Sequence, residues 1–200
     1  IGPNRRSAAN HYTMIMFASG VPILFGLLLS AFHYGAQLEQ GGLLFDYTIL
    51  STITLPLELQ GGIFLLLLIG FAFKTPLFPL HTWLPNITME GPIAIAIIMT
   101  GLKLGAYGLI RFALPLAPEF AQQYHWLLAG LGVTALLYGG VAAINQTNLR
   151  QMLGYASISH IGLVVLGLSS FNLMGIEGAI FQLINFTLIS AGLFFLIGAL

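Results

Sequence analysis

The run from Tyr12 to Phe32 holds no charged residue, and five further stretches of comparable apolarity follow it. Wound as a helix at 1.5 Å per residue, it spans about 31 Å, the thickness of a bilayer's hydrocarbon core. In that core the backbone must satisfy its own amides and carbonyls, so a run of this length reads as a spanning helix. Composition agrees. Of the 200 residues, 58% are hydrophobic and 6% charged, whereas a soluble domain carries about 25% charge. The fold class is therefore all-α, a polytopic membrane protein of about six transmembrane helices. Residues 1–200 are expected to form a single transmembrane domain. With Ile1 at the start and Leu200 inside an apolar run, the chain reads as an internal piece of a longer polypeptide.

Several function classes drop out. The net charge is zero, which leaves no electrostatic footprint for nucleic acid. There is no cysteine, which removes disulfides, thiol metal sites and thiol catalysis. No metal-ligand set, nucleophile with base, or phosphate loop is visible, and the Gly-Gly pairs do not match a dinucleotide fingerprint. No bond-making chemistry is expected in this chain.

Beyond the first span, which Pro22 is placed to kink, His33 to Leu57 reads as a loop bearing Glu39, Asp46 and the Gly41-Gly42 turn signal. The second span runs from about Glu58 to Phe73. It covers only about 25 Å, so the segment after Lys74 is expected to lie at membrane depth too. That segment, Lys74-Thr-Pro-Leu-Phe-Pro-Leu-His-Thr-Trp-Leu-Pro85, carries three prolines and reads as a discontinuous helix. Broken backbone is tolerated there only where protein or water satisfies it. The remaining spans are Gly91–Phe112, Trp126–Ile144, Met152–Leu168 and a last one from near Ile176. Arg5, Arg6 and Arg150 fall on one side, facing Arg111, Glu39, Asp46, Glu119 and Glu177 on the other. Basic flanks place the first group in the cytoplasm or its equivalent.

The intramembrane ionisable residues carry the functional signal. A charge at bilayer depth costs about 2.5–3.5 kcal/mol on insertion scales. Lys103 sits near mid-span and Lys74 at a span end. Each reads as a proton-relay group, because withdrawal from water favours the neutral amine and makes proton exchange accessible. Lys74 also admits a snorkelling reading, with its amine at the headgroups. His160 lies among the small polar residues Tyr155, Ser157 and Ser159, where an imidazole can titrate or simply bridge packed helices. His81, inside the broken segment, reads as a relay group or a structural donor. His11, His33 and His125 lie at span ends and read as interfacial. Glu90 is expected to cap the third span, and Glu58 to be interfacial. Gly101, Gly105 and Gly108 read as close-packing positions.

Several segments resemble one family, the antiporter-like membrane subunits of respiratory complex I and photosynthetic NDH-1, of the NuoM/NdhD type. They are Lys74 to Pro85, Gly101-Leu-Lys103-Leu-Gly-Ala-Tyr-Gly-Leu-Ile-Arg111-Phe112, Asn148 to Gly162, Gly178 to Gln182 and on to Phe195, and Arg5-Arg6-Ser-Ala-Ala9. The resemblance implies a proton-translocating subunit of a quinone oxidoreductase, an enzyme complex whose redox chemistry lies in other subunits. Quinone, Fe-S clusters and the electron donor are expected there, with other membrane and hydrophilic subunits as partners. It implies that Lys74, Lys103, His160 and His81 are the relay, with the glutamate partner of Lys74 one helix before this chain begins. It further implies a cyanobacterial or plastid thylakoid membrane, or a bacterial inner membrane.

Departures from the family pattern are specific. Asn86 and Thr88 stand where an acid and a histidine are usual, His11 where a lysine is common, and Phe186 where the last span usually has a relay histidine. The Met89-Glu90-Gly-Pro-Ile-Ala94 variant resembles the NdhD form of CO2-uptake complexes. Two other readings share the fold: an Mrp-type cation/proton antiporter subunit, and a structural subunit with an inactive channel.

Overall fold

A computed structural model describes residues 2–37, 45–51, 55–101 and 103–199. Glu39 and the Gly41-Gly42 turn lie outside the described residues. Among the described residues, six stretches are helical, long and apolar enough to cross a membrane. The first, α1 (Arg5–Gln37), starts a full two turns before the predicted boundary and contains Pro22. The predicted loop holds one short turn, α2 (Tyr47–Leu50), capped by Asp46, whose carboxylate accepts the Thr48 amide at 2.9 Å.

The second span is α3 (Leu57–Lys74). At about 27 Å it falls short of the bilayer core, as expected. The chain then passes through the proline segment into α4 (Trp83–Glu90). Thr75, Leu77, His81, Trp83 and Leu84 in and after the break are buried, while Phe78, Pro79 and Thr82 are exposed, so this irregular backbone is packed on protein along one side. The last carbonyls of α3 are satisfied by residues of this segment. The Thr75 hydroxyl donates to Phe71 O, and the Trp83 indole N–H donates to Phe73 O at 2.9 Å.

The third span differs from the expected single helix. It is α5 (Ile93–Gly101), a break at Lys103, α6 (Leu104–Gly108), a π-helical turn (Leu109–Ala113) and α7 (Leu114–Leu116). Lys103 has φ −86° and ψ 50°, off the helical region. No proline marks this break. The open end of α5 is closed from another helix, because the Thr187 hydroxyl donates to Gly101 O at 3.0 Å. A short helix, α8 (Pro118–Gln123), follows. The side-chain oxygen of fully buried Gln60 accepts the free amides of Glu119 and Phe120 at its start, at 3.1 and 3.2 Å.

The last three spans are regular: α9 (His125–Ile144), α10 (Leu149–Ser169) and α11 (Leu173–Ala199). Asn148 caps α10 through its side-chain oxygen on the Arg150 amide at 2.9 Å, which is why the polar Asn145–Arg150 turn ends where it does. Lipid offers no hydrophobic gain for bringing helices together, so close approach at small residues has to do it. The α9/α10 seam shows this. A Cβ on Gly132 would fall 2.8 Å from the Leu166 amide nitrogen, and the Ser159 hydroxyl donates across the seam to Leu136 O at 2.9 Å.

Glu90 is a capping residue, but of a different helix from the one expected. Its carboxylate accepts the Asn4 amide at 2.8 Å, and its carbonyl accepts the Gly2 amide at 3.0 Å. It therefore serves the start of α1, where the helix dipole favours a carboxylate, rather than the start of α5. The tertiary approach of α1 to the end of α4 decides this.

Candidate functional site

Two interruptions, after Lys74 and at Lys103, meet in space. Gly105, two residues past Lys103, lies against the backbone just after Lys74. A Cβ there would collide with Thr75 and with the carbonyl carbon of Lys74. Glycine is required for that approach, so Gly105 is a packing position, as expected. Gly108 likewise lies under the Phe71 ring. The two lysine-bearing breaks are thereby held together backbone to backbone.

The Lys74 amine lies 4.0 Å from the Met16 sulfur. Met16 is about 16 Å along α1 from Arg5 at 1.5 Å per residue. The amine thus lies against the side of α1, about three turns in from its start.

Lys103 places its amine over the Phe186 ring, 5.1 Å from the centroid. The same ring stacks on His160, with centroids 4.2 Å apart and planes 28° apart. His160 is held at its edge as well, since the Gln182 amide nitrogen lies 2.8 Å from Nδ1. With the amide donating, Nδ1 accepts and the proton of the neutral ring sits on Nε2. Lys103, His160, Phe186 and Gln182 thus form one cluster, built from the break in the third span, α10 and α11. Lys103 also lines a groove of about 330 Å³ with Gly101, Leu104, Tyr107 and Thr187.

His81 stands apart from that cluster. It is 3% exposed and packed in an aromatic box, with ring centroids at 4.8 Å to Tyr138, 5.7 Å to Phe78 and 6.3 Å to Tyr155. Its Nδ1 is buried with no hydrogen-bond partner among the described residues, as is the Ser157 hydroxyl. Buried polar atoms normally carry a hydrogen-bond partner, so both mark polar points in an otherwise apolar packing. Near the start of α1, a polar cavity of about 250 Å³ is lined by Asn4, Ser7, Ala8, His11, Asn86 and Glu90, so His11 faces a recess shared with the end of α4. His125, at the start of α9, is exposed and bonded to Gln122 O at 3.0 Å.

Sequence reasoning marked Phe186 only as a lost histidine and gave Gln182 no role. Their spacing of four, which puts both on one face of α11, is the signal that pairs them. Met16 and Thr187, an apolar and a small residue within apolar helices, carried no signal.

The comparisons with known proteins agree with this architecture. Residues 2–200 match the family model described as "NADH:quinone oxidoreductase/Mrp antiporter, TM". The chain is 41% identical to NAD(P)H-quinone oxidoreductase chain 4 1 of a Synechococcus species, over 98% of this chain and 37% of that protein. It is 38% identical to NADH-quinone oxidoreductase subunit M of Rickettsia prowazekii, over 100% of this chain and 40% of that protein. A chain of respiratory complex I from Thermus thermophilus superposes with a TM-score of 0.91 at 32% identity, covering 99% of this chain and 42% of that one. The chain spans about two fifths of the length of these relatives. On the match of nearly its whole length, this integral membrane chain belongs to the antiporter-like transmembrane family of NADH:quinone oxidoreductases and Mrp antiporters.

Proposed function

We propose that this chain is the proton-conducting part of a membrane subunit in a quinone-reducing complex of the NDH-1/complex I type. Protons pass by Lys74, Lys103 and His160, with His81 on a hydrated branch beside the first break. The observation that carries this is the placement of Lys103. It sits at an unwound point of a membrane span, with its amine directed at the ring that also contacts His160. An amine held there is expensive to bury and has no packing role that an apolar residue would not fill better. Phe186 has no proton to exchange, so transfer from Lys103 to His160 runs around its ring through water.

Quinone, Fe-S clusters and the electron donor then belong to partner subunits, and residues 1–200 act as one transmembrane unit. The membrane is a cyanobacterial or plastid thylakoid, or a bacterial inner membrane. The Met89–Ala94 variant supports a narrower proposal, coupling to CO2 uptake, for which loss of CO2-dependent growth on deletion is the check. The test of the main reading is native purification of the tagged full-length subunit. Co-purification with Fe-S subunits, and vesicle acidification that requires quinone reduction, is the expected result. Purification without redox partners, with acidification driven by a sodium gradient, identifies an Mrp-type antiporter subunit. Quinone reduction with no acidification identifies an inactive channel.

A further inference from the structure

Phe186 touches both titratable groups of the central cluster, and its helix holds one of them twice. The ring is 6% exposed. One contact is the Lys103 amine at 5.1 Å from the centroid, the other the His160 ring at 4.2 Å. One turn earlier, Gln182 fixes His160 through Nδ1 at 2.8 Å. One residue later, Thr187 ties α11 to Gly101 O, at the end of the helix that stops just before Lys103. Three positions within two turns of α11, Gln182, Phe186 and Thr187, therefore address the imidazole, the amine and the backbone break. An aromatic face attracts a cation through its quadrupole, most strongly where water is withdrawn. An aliphatic side chain of similar bulk offers no such attraction.

We propose that Phe186 is a positioning residue for proton transfer, its ring face returning the protonated Lys103 amine to one fixed place beside His160. This rests on the proton path proposed above. The role is electrostatic and geometric, and it makes a prediction that simple packing does not. For packing alone, Leu or Met should be tolerated better than Tyr, which brings a hydroxyl into a site only 6% exposed. For a ring that holds a cation, the order reverses.

The experiment places Phe186→Tyr, Phe186→Trp, Phe186→Leu and Phe186→Met in the full-length subunit of the native complex. It reads proton translocation in vesicles, with assembly followed on native gels. The expected result is translocation within about twofold of wild type for Tyr and Trp, and a loss of about tenfold for Leu and Met, the scale of a desolvated cation–ring contact. Leu and Met performing as well as or better than Tyr overturns the proposal. As a shape-preserving variant, 3,4,5-trifluorophenylalanine at position 186 weakens the ring's attraction with little change in bulk. A loss in assembled complex supports the proposal, and wild-type translocation overturns it. Lys103→Ala in the same vesicles separates the two claims. If it leaves translocation intact, the path itself is wrong and the proposal falls with it. If it abolishes translocation while the ring series is flat, only the role of Phe186 is wrong.

Discussion

The Thr187 hydroxyl donates to the Gly101 carbonyl at 3.0 Å, closing the helix that ends just before Lys103. Leu183 O within the same helix lies nearer, at 2.7 Å, so the single hydroxyl proton is shared between the two carbonyls. Thr187→Val keeps the shape and removes the donor. It leaves a carbonyl unsatisfied at membrane depth and should cost about 1–3 kcal/mol. The check is a lower thermal midpoint of the solubilised complex, with translocation reduced in proportion to the misplacement of Lys103.

Gly105 should tolerate no side chain. Any Cβ there meets backbone atoms of the Lys74–Thr75 segment, and backbone cannot rotate aside. Gly105→Ala is expected to destabilise by about 1–3 kcal/mol and to lower the amount of assembled subunit in membranes. Gly130→Ala, where a Cβ meets nothing within 4 Å, is the matched control and should assemble normally.

Glu90 separates capping from conduction. Its carboxylate on the Asn4 amide predicts that Glu90→Ala destabilises by about 1 kcal/mol and that Glu90→Gln, which keeps an acceptor oxygen, costs less. Translocation per quinone reduced should be unchanged in both. A fall in that ratio with unaltered stability would assign Glu90 to the proton path instead.

Trp83→Phe tests how the first break is held. It keeps the bulk of the ring and its place against Tyr12, at 5.4 Å between centroids, but removes the indole donor on Phe73 O. A loss of about 1–2 kcal/mol in stability is expected, read as a shifted denaturation midpoint.

The spans were legible because hydropathy and length alone decide them. Predicted ends at Phe73 and Ile144 sit within a residue of those observed. The first break was legible because proline writes it into the sequence. The break at Lys103 was not, because no local residue forces it. Thr187, far along the chain, offers a donor to the Gly101 carbonyl beside it, a contact that local sequence does not show. The same reason hid the true partner of Glu90, which depends on where α1 lands. Lys103 and His160 were legible as ionisable groups in apolar surroundings. Phe186 and Gln182 were not, because a phenylalanine in a membrane helix is unremarkable until the rotation of α11 against α10 is known.

The central claim is that a proton resides on Lys103 during turnover, and Lys103→Ala in the native complex tests it most directly. Proton uptake and release by membrane vesicles would be measured against quinone reduced, with an uncoupler control and assembly verified. The account predicts an assembled complex whose proton-to-electron ratio falls, and restoration of part of that ratio by added small primary amines that fit the groove of about 330 Å³ beside Lys103. An assembled Lys103→Ala complex with the wild-type ratio would contradict it.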